Sequence, residues 1–122
     1  MYYAVYGSLM AGYWNHEWAL GDAEFIGEVE IPGFKLKDNG CFPAAIRCED
    51  QTIHAELYDV TEVDHNIVEN MDHMEFNCGY ERSLVRTSDG DECWLFVMPE
   101  VLADRFHIDV PNNDWRLMKE EY

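Results

Sequence analysis

The N-terminal segment constrains the fold more than any other part of the chain. An apolar run, Tyr2–Val5, leads directly into Tyr6, Gly7, Ser8 and Leu9. A short apolar run that is followed by a glycine predicts a buried strand ending in a tight loop. The amide groups of such a loop can converge on an anion. The segment therefore predicts a candidate anion-binding loop, and an ordinary turn between a strand and a helix is the alternative.

Strand-like segments recur along the chain and are separated by turn signals. Apolar and polar side chains alternate over residues 52–60, as expected for a strand with one buried face. Further strands are predicted over residues 23–31, 34–36, 80–87 and 92–98. Turns are predicted at Pro32-Gly33, at residues 38–40 and at residues 88–91, the last joining two strands into a hairpin.

Helical segments are fewer. Residues 13–20 predict a short helix or turn that ends at Gly21. A longer helix is predicted from an N-cap at Thr61, with an apolar face formed by Val63, Ile67, Val68, Met71 and Met74. Two more short helices are predicted, over residues 99–107 and in the segment after Pro111. Many short strands with few helices predict an α+β fold, a small, mixed, largely antiparallel β-barrel with flanking helices.

Composition limits the classes of partner and location. At 122 residues the chain is expected to form one domain, 1–122. Its net charge of −17 repels nucleic acid and anionic membranes, so neither is an expected partner. The sequence has no apolar run of membrane-spanning length and no signal-peptide pattern, which predicts a cytoplasmic protein. Its four cysteines form no C-x-x-C pair and are expected to be reduced thiols.

Glu75 is the leading candidate for chemistry. It follows the apolar face of the predicted long helix, so its carboxyl group is expected to lie against the core. Partial burial raises the pKa of a carboxyl group towards the range in which it can shuttle protons at neutral pH. Asp72 lies three residues earlier, on the same side of the helix. The alternative is that both are ordinary solvated acids of an acidic surface.

Potential metal ligands also cluster in this region, namely His65, Asp72, His73, Glu75 and Cys78. The two histidines are eight residues apart, whereas helical zinc sites pair histidines at i and i+4. No second ligand pair supports a site. We therefore predict neither a metal ion nor another cofactor.

Five segments, in order along the chain, resemble the gamma-glutamylcyclotransferase-like family, and most of all its gamma-glutamylamine cyclotransferase branch. They are Tyr6–His16 (Y-G-[S/T]-L-x-x-G-x-x-N-H in the family), Cys41–Ala44, Ala55–Val60, Met71–Glu75 with Tyr80 and Arg82 (L-D-x-x-E…Y-x-R), and Asn113–Arg116. The resemblance implies a small barrel with flanking helices. It also implies an enzyme in which the α-amine of a gamma-glutamyl group attacks its own γ-carbonyl, forming 5-oxoproline and releasing an amine or amino acid.

The same resemblance assigns roles to individual residues. It makes Glu75 the catalytic acid/base. The loop amides of Gly7, Ser8 and Leu9 would bind the carboxylate of a small-molecule gamma-glutamyl substrate. Tyr6 would supply a wall and a hydroxyl, and Tyr80 would line the pocket. No cofactor is implied.

Two departures from the family pattern carry expectations of their own. Phe76 stands where a glycine usually follows the glutamate, and it is expected to narrow or reshape the pocket. Ala55 replaces a strand glycine. The alternative to an enzyme is a non-catalytic binding protein on the same fold. It would engage a basic protein partner through its acidic surface or sequester a small metabolite.

Overall fold

The computed structural model describes residues 1–120. In chain order the elements are β1 (Tyr2–Val5), α1 (His16–Leu20), β2 (Glu24–Asp38), β3 (Pro43–Asp59), α2 (His65–Asn77), β4 (Glu81–Arg86), β5 (Glu92–Val97) and β6 (Ile108–Asp109). Short 3₁₀ helices occupy Glu100–Arg105, Pro111–Asn113 and Trp115–Glu120. None of the helices within the described range has the length and apolar character needed to cross a bilayer.

The strands form one mixed sheet in the order β4-β5-β1-β3-β2-β6. β1 runs parallel to β5 and antiparallel to β3, and the β2–β3 and β4–β5 pairs are antiparallel. Beyond the end of β1 its two neighbours come together, since Ala45 of β3 pairs with Val97 of β5. This junction curls the sheet into a half-barrel. The predicted α+β fold, with a mixed and largely antiparallel sheet, is confirmed.

The core lies inside the curl, beneath α2. β1 contributes two fully buried residues, Tyr3 and Ala4, and Met71 contributes the one fully buried side chain of α2. Leu57 of β3 and Leu95 of β5 pack beside them. Burying a side chain of this size stabilises the fold by roughly 1.5–3 kcal/mol, so α2 is held on the sheet mainly by apolar contact.

The predicted turn at Pro32-Gly33 is wrong, because β2 continues through it. The register between β2 and β3 shifts between Pro32 and Phe34, and Gly33 adopts a φ of +93°. Between the Pro32–Thr52 and Phe34–Arg47 pairs β2 advances two positions and β3 advances five, so the ladder is irregular here and the alternation of β2 is reset at Gly33. Ile31 and Phe34 can therefore both face the core although they are three positions apart.

The predicted start of α2 at Thr61 is also wrong. The helix begins at His65, and Asp64 is the N-cap, whose side chain accepts a hydrogen bond of 2.8 Å from the Asn66 amide. Thr61 instead donates to Asp59 from its amide (3.0 Å) and its hydroxyl (2.6 Å). Asp59 thus recruits Thr61 into a turn after β3, and this contact competes with a capping role for Thr61.

Candidate active site

A cavity of about 230 Å³ opens where β1 ends and β3 and β5 converge. Its wall includes the loop after β1, the last turns of α2 and the start of β3. All the residues predicted for the site line it: Tyr6, Gly7, Ser8, Leu9, Glu75 and Tyr80. Residues that are remote in sequence therefore share one small chamber.

The loop after β1 presents free amide groups to the cavity. Within residues 1–118, the amides of Gly7, Ser8 and Leu9 donate to no protein acceptor. The next two amides are occupied, since Met10 donates to the Gly7 carbonyl (3.0 Å) and Ala11 donates to Oε1 of Glu56 (2.8 Å). Three consecutive unpaired backbone donors beside a cavity are a geometry that suits a carboxylate or a developing oxyanion.

The loop conformation is fixed by the residues that follow it. Asn15 donates from Nδ2 to the Ser8 hydroxyl (2.8 Å) and from its amide to the Ser8 carbonyl (3.1 Å). Nδ1 of His16 lies 2.9 Å from the Leu9 carbonyl, which can only accept, so Nδ1 carries the proton. The Asn-His pair of the sequence motif therefore holds the loop carbonyls and leaves the preceding amides free.

Glu56 anchors the far end of the loop from β3. Its carboxylate is buried and accepts hydrogen bonds from the Ala11 amide (2.8 Å) and the Tyr58 hydroxyl (2.9 Å). Burial, together with the Glu56 carboxylate, raises the pKa of Tyr58, so this phenol stays a donor. The E-L-Y segment of β3 thus serves the loop, a contact that sequence reasoning did not anticipate.

A glycine is required at position 7 because the loop backbone passes close to the Pro43 ring. A Cβ atom at this position would lie 3.1 Å from Cγ and 3.3 Å from Cδ of Pro43. These distances are tighter than ordinary van der Waals contact, so a side chain would push the loop away from the start of β3. The glycine therefore lets the amide loop pack directly against the proline at the cavity wall.

Glu75 lies in the last turn of α2, with its carboxyl group in the cavity wall. Burial, and secondarily the charge of Asp72, raises its pKa from 4.5 to about 7. Among residues 1–118 its carboxyl group has neither a hydrogen-bond donor nor an ion-pair partner. A half-buried carboxyl group that titrates near neutral pH can both accept and return a proton.

Tyr6 contributes its ring to the wall, but its hydroxyl is committed to the backbone. The hydroxyl donates to the Phe96 carbonyl at 2.6 Å and accepts from the Ala45 amide at 2.9 Å. Burial raises the pKa of Tyr6 far above its usual value. The side chain thus bridges β5 and β3 at their junction, and its proton is not available for the substrate contact expected from the resemblance.

Tyr80 also binds backbone rather than pointing a free hydroxyl into the cavity. Its hydroxyl donates to the Pro43 carbonyl, and burial raises its pKa. The contact joins the segment after α2 to the start of β3, both of which line the cavity. Tyr80 therefore holds two parts of the wall together.

A three-residue cluster lies behind Glu75. The Tyr3 hydroxyl donates to Oδ1 of Asp72 at 2.9 Å, and Nη1 of Arg82 donates to the Tyr3 oxygen at 2.8 Å and to Oδ2 of Asp72 at 2.9 Å. The Arg82 guanidinium stacks on Trp94, 4.2 Å from the ring centroid. Burial raises the pKa of Tyr3 to about 12. Sequence reasoning noted Asp72 and Arg82 but missed Tyr3, since an aromatic residue in an apolar run gives no separate signal.

The cavity carries no cationic side chain. Its described lining residues include no lysine, arginine or histidine, so any anion there would be bound by uncharged donors such as the loop amides. Phe76 lies outside the lining, 46% exposed, with its ring edge-on to Phe96 at 6.4 Å. Phe76 is not part of the lining but contacts Phe96, which is, and the expectation that Phe76 reshapes the pocket stays a prediction. The described residues also contain no group of three His, Cys, Asp or Glu side chains suited to a metal ion.

Comparison with known proteins identifies the family. A family model described as "Gamma-glutamyl cyclotransferase, AIG2-like" matches residues 3–117. The chain belongs to this family. The gamma-glutamyl cyclotransferase family match spans the amide loop, Glu75 and the C-terminal Trp115, so every candidate site residue lies within it.

Three relatives illustrate the similarity. A Methanocaldococcus jannaschii protein named "Putative gamma-glutamylcyclotransferase" is 32% identical over 104 residues, which are 81% of this chain and 85% of the relative. The crystal structure of an uncharacterized Pyrococcus horikoshii protein has a TM-score of 0.79 at 25% identity, covering 99% of this chain and 94% of the other. A solved gamma-glutamyl cyclotransferase has a TM-score of 0.59 at 17% identity, covering 80% and 66%, and shows the shared fold alone.

Proposed function

We propose that this gamma-glutamylcyclotransferase-like protein releases 5-oxoproline from a gamma-glutamyl amine or peptide, with Glu75 as the general acid/base. The observation that carries the proposal is the arrangement of the cavity. A carboxyl group with a pKa of about 7 and three unpaired loop amides share a chamber of about 230 Å³. One group can move a proton, and the others can bind an anion.

The reaction needs little more than these groups. The α-amine nitrogen of the substrate forms a bond to its own γ-carbonyl carbon, and the amide bond to the leaving amine breaks. Glu75 accepts the proton that the α-amine loses and donates it to the departing nitrogen, so its carboxylate is regenerated. Water is not consumed. Because nucleophile and electrophile belong to one molecule, orientation supplies much of the acceleration.

The loop amides supply that orientation. A gamma-glutamyl substrate carries an α-carboxylate, and the amides of Gly7, Ser8 and Leu9 are unpaired donors in the cavity that can bind it. Binding by fixed backbone dipoles places this carboxylate without a cationic side chain. Such local donors also offset the repulsion that a protein with a net charge of −17 exerts on an anionic substrate.

The test is release of 5-oxoproline from a panel of gamma-glutamyl amines and dipeptides by the wild-type protein and two variants. Glu75→Gln keeps the shape of the side chain but removes the proton acceptor, and we expect a loss of at least about 100-fold in kcat/KM. Glu69→Gln is the matched control, since Glu69 is an exposed glutamate on the same helix. It is expected to retain wild-type turnover. Equal turnover by both variants contradicts the assignment of Glu75.

The net charge favours a second candidate, a non-catalytic protein that binds a basic partner. It has only the acidic surface in its support, with 25 acidic against eight basic residues. Such binding would weaken as salt rises and would be unaffected by Glu75→Gln. A folded protein that turns over no substrate of the panel, yet shows this salt-sensitive association, favours the second candidate.

A further inference from the structure

The proposed reaction leaves Asp72, an acidic neighbour of Glu75 on α2, without a role. Specific hydrogen bonds from two strands nevertheless hold its carboxylate in place. Its carboxylate receives the Tyr3 hydroxyl from β1 (2.9 Å) and the Arg82 guanidinium from β4 (2.9 Å). The Asp72 side chain is 14% exposed and the Arg82 side chain 31%. Residues from two strands thus bind one carboxylate of α2, one helical turn before Glu75.

We propose that Asp72 is a positioning residue: held by Tyr3 and Arg82, it fixes the end of α2 and keeps one negative charge beside the Glu75 carboxyl group. The inference rests on the proposed function, because it assigns Asp72 a role through Glu75. In this proposal the ion pair between Arg82 and Asp72 controls how much negative charge acts on Glu75, because the positive charge of Arg82 partly offsets the negative charge of Asp72.

The other groups around Glu75 carry no charge at neutral pH. Three titratable side chains also interact with its carboxyl group: Tyr6 from the loop, Tyr80 from the segment after α2 and Cys78 from the helix end. The cavity residue from β5 is the uncharged Phe96. Burial raises the pKa of each of these phenols and of the thiol, so all three remain protonated. Asp72 is therefore the acidic neighbour of Glu75 within the described part of the chain, and its charge raises the pKa of Glu75.

The two halves of the ion pair should act in opposite directions. Asp72→Asn keeps a polar group against Tyr3 but removes the charge, so it should lower the midpoint of the Glu75 titration, by roughly half a pH unit or more. Arg82→Gln leaves the Asp72 charge uncompensated, so the midpoint should rise. A purely structural cluster would lose stability in both variants without moving the midpoint in either direction.

The experiment reads Glu75 directly. The protein is labelled with ¹³C at the glutamate side-chain carboxyl groups, the Glu75 resonance is assigned by its absence in Glu75→Gln, and its titration is followed in wild type, Asp72→Asn and Arg82→Gln. Asp64→Asn is the matched control. It removes the same charge from the N-cap of the same helix, far from Glu75, and should leave the midpoint unchanged.

The outcome is decisive whether or not a substrate is turned over. A lower midpoint in Asp72→Asn and a higher midpoint in Arg82→Gln, with Asp64→Asn unshifted, support the inference. Any other pattern, including an unmoved midpoint in either of the two variants, overturns it. If the protein is active, the acid limb of kcat/KM should move with each NMR midpoint. If no gamma-glutamyl compound reacts, the proposed function fails separately, because the titration does not depend on catalysis.

Discussion

Replacing Glu75 by glutamine is expected to stabilise the folded protein, and to do so more as the pH rises. Burial raises the pKa of this carboxyl group from 4.5 to about 7 on folding. Between these values the folded state binds more protons than the unfolded state, so the contribution of Glu75 to stability falls as the pH rises. Glutamine is neutral throughout and avoids this cost.

The size of the effect follows from the pKa difference. A shift of one pKa unit corresponds to about 1.4 kcal/mol, so the full cost of ionising Glu75 in the folded state is about 3 kcal/mol above pH 7. At pH 5.5 less than half of this cost applies. The stability difference between Glu75→Gln and wild type should therefore grow by about 2 kcal/mol between pH 5.5 and pH 8.

Urea denaturation followed by tryptophan fluorescence measures this difference, because the chain contains four tryptophans. Each variant is compared with wild type at the same pH, so the general effect of the acidic surface cancels. Glu69→Gln, which removes one exposed charge from the same helix, should show a difference that is nearly constant with pH. A gap between Glu75→Gln and wild type that stays constant or shrinks from pH 5.5 to pH 8 would refute the assignment of a raised pKa.

Two further substitutions test the support of the site. Glu56→Ala leaves the Ala11 amide and the buried Tyr58 hydroxyl without their acceptor, so we expect a loss of about 2 kcal/mol in urea denaturation and a KM that rises more than kcat falls. Tyr6→Phe removes the acceptor of the Ala45 amide and should cost about 1–3 kcal/mol. Because its hydroxyl serves the backbone, kcat per folded molecule should stay within a few-fold of wild type. A loss as large as that of Glu75→Gln would show that the hydroxyl acts on substrate.

The sequence was sufficient for the fold class because local patterns and long-range pairing agree. The apolar run at Tyr2–Val5 could only be a buried strand, and the structure places it in the middle of the sheet. The hairpin around residues 88–91 and the helix carrying Glu75 were likewise predicted from local signals. Where a signal was ambiguous, tertiary contacts decided. Pro32-Gly33 is a turn signal in isolation, but β2 continues through it with an irregular register against β3.

The sequence predicted which residues line the candidate site but not the hydrogen bonds that they make. The motifs named the loop, Glu75 and Tyr80, and all of them line one cavity. They could not show that the hydroxyls of Tyr6 and Tyr80 bind backbone carbonyls, since a hydrogen bond between strands depends on how those strands converge. The contact of Tyr3 with Asp72 was invisible for the same reason, because it joins residues 69 positions apart.

The most direct test of the account follows the γ-carbonyl carbon itself. A gamma-glutamyl alkylamide labelled with ¹³C at that carbon is incubated with the protein in H₂¹⁸O, and the products are identified by NMR and mass spectrometry. The account predicts that the label appears in the ring carbonyl of 5-oxoproline without ¹⁸O, and that Glu75→Gln stops its appearance. Labelled glutamate containing ¹⁸O would show hydrolysis instead of ring closure, and would contradict the proposed reaction.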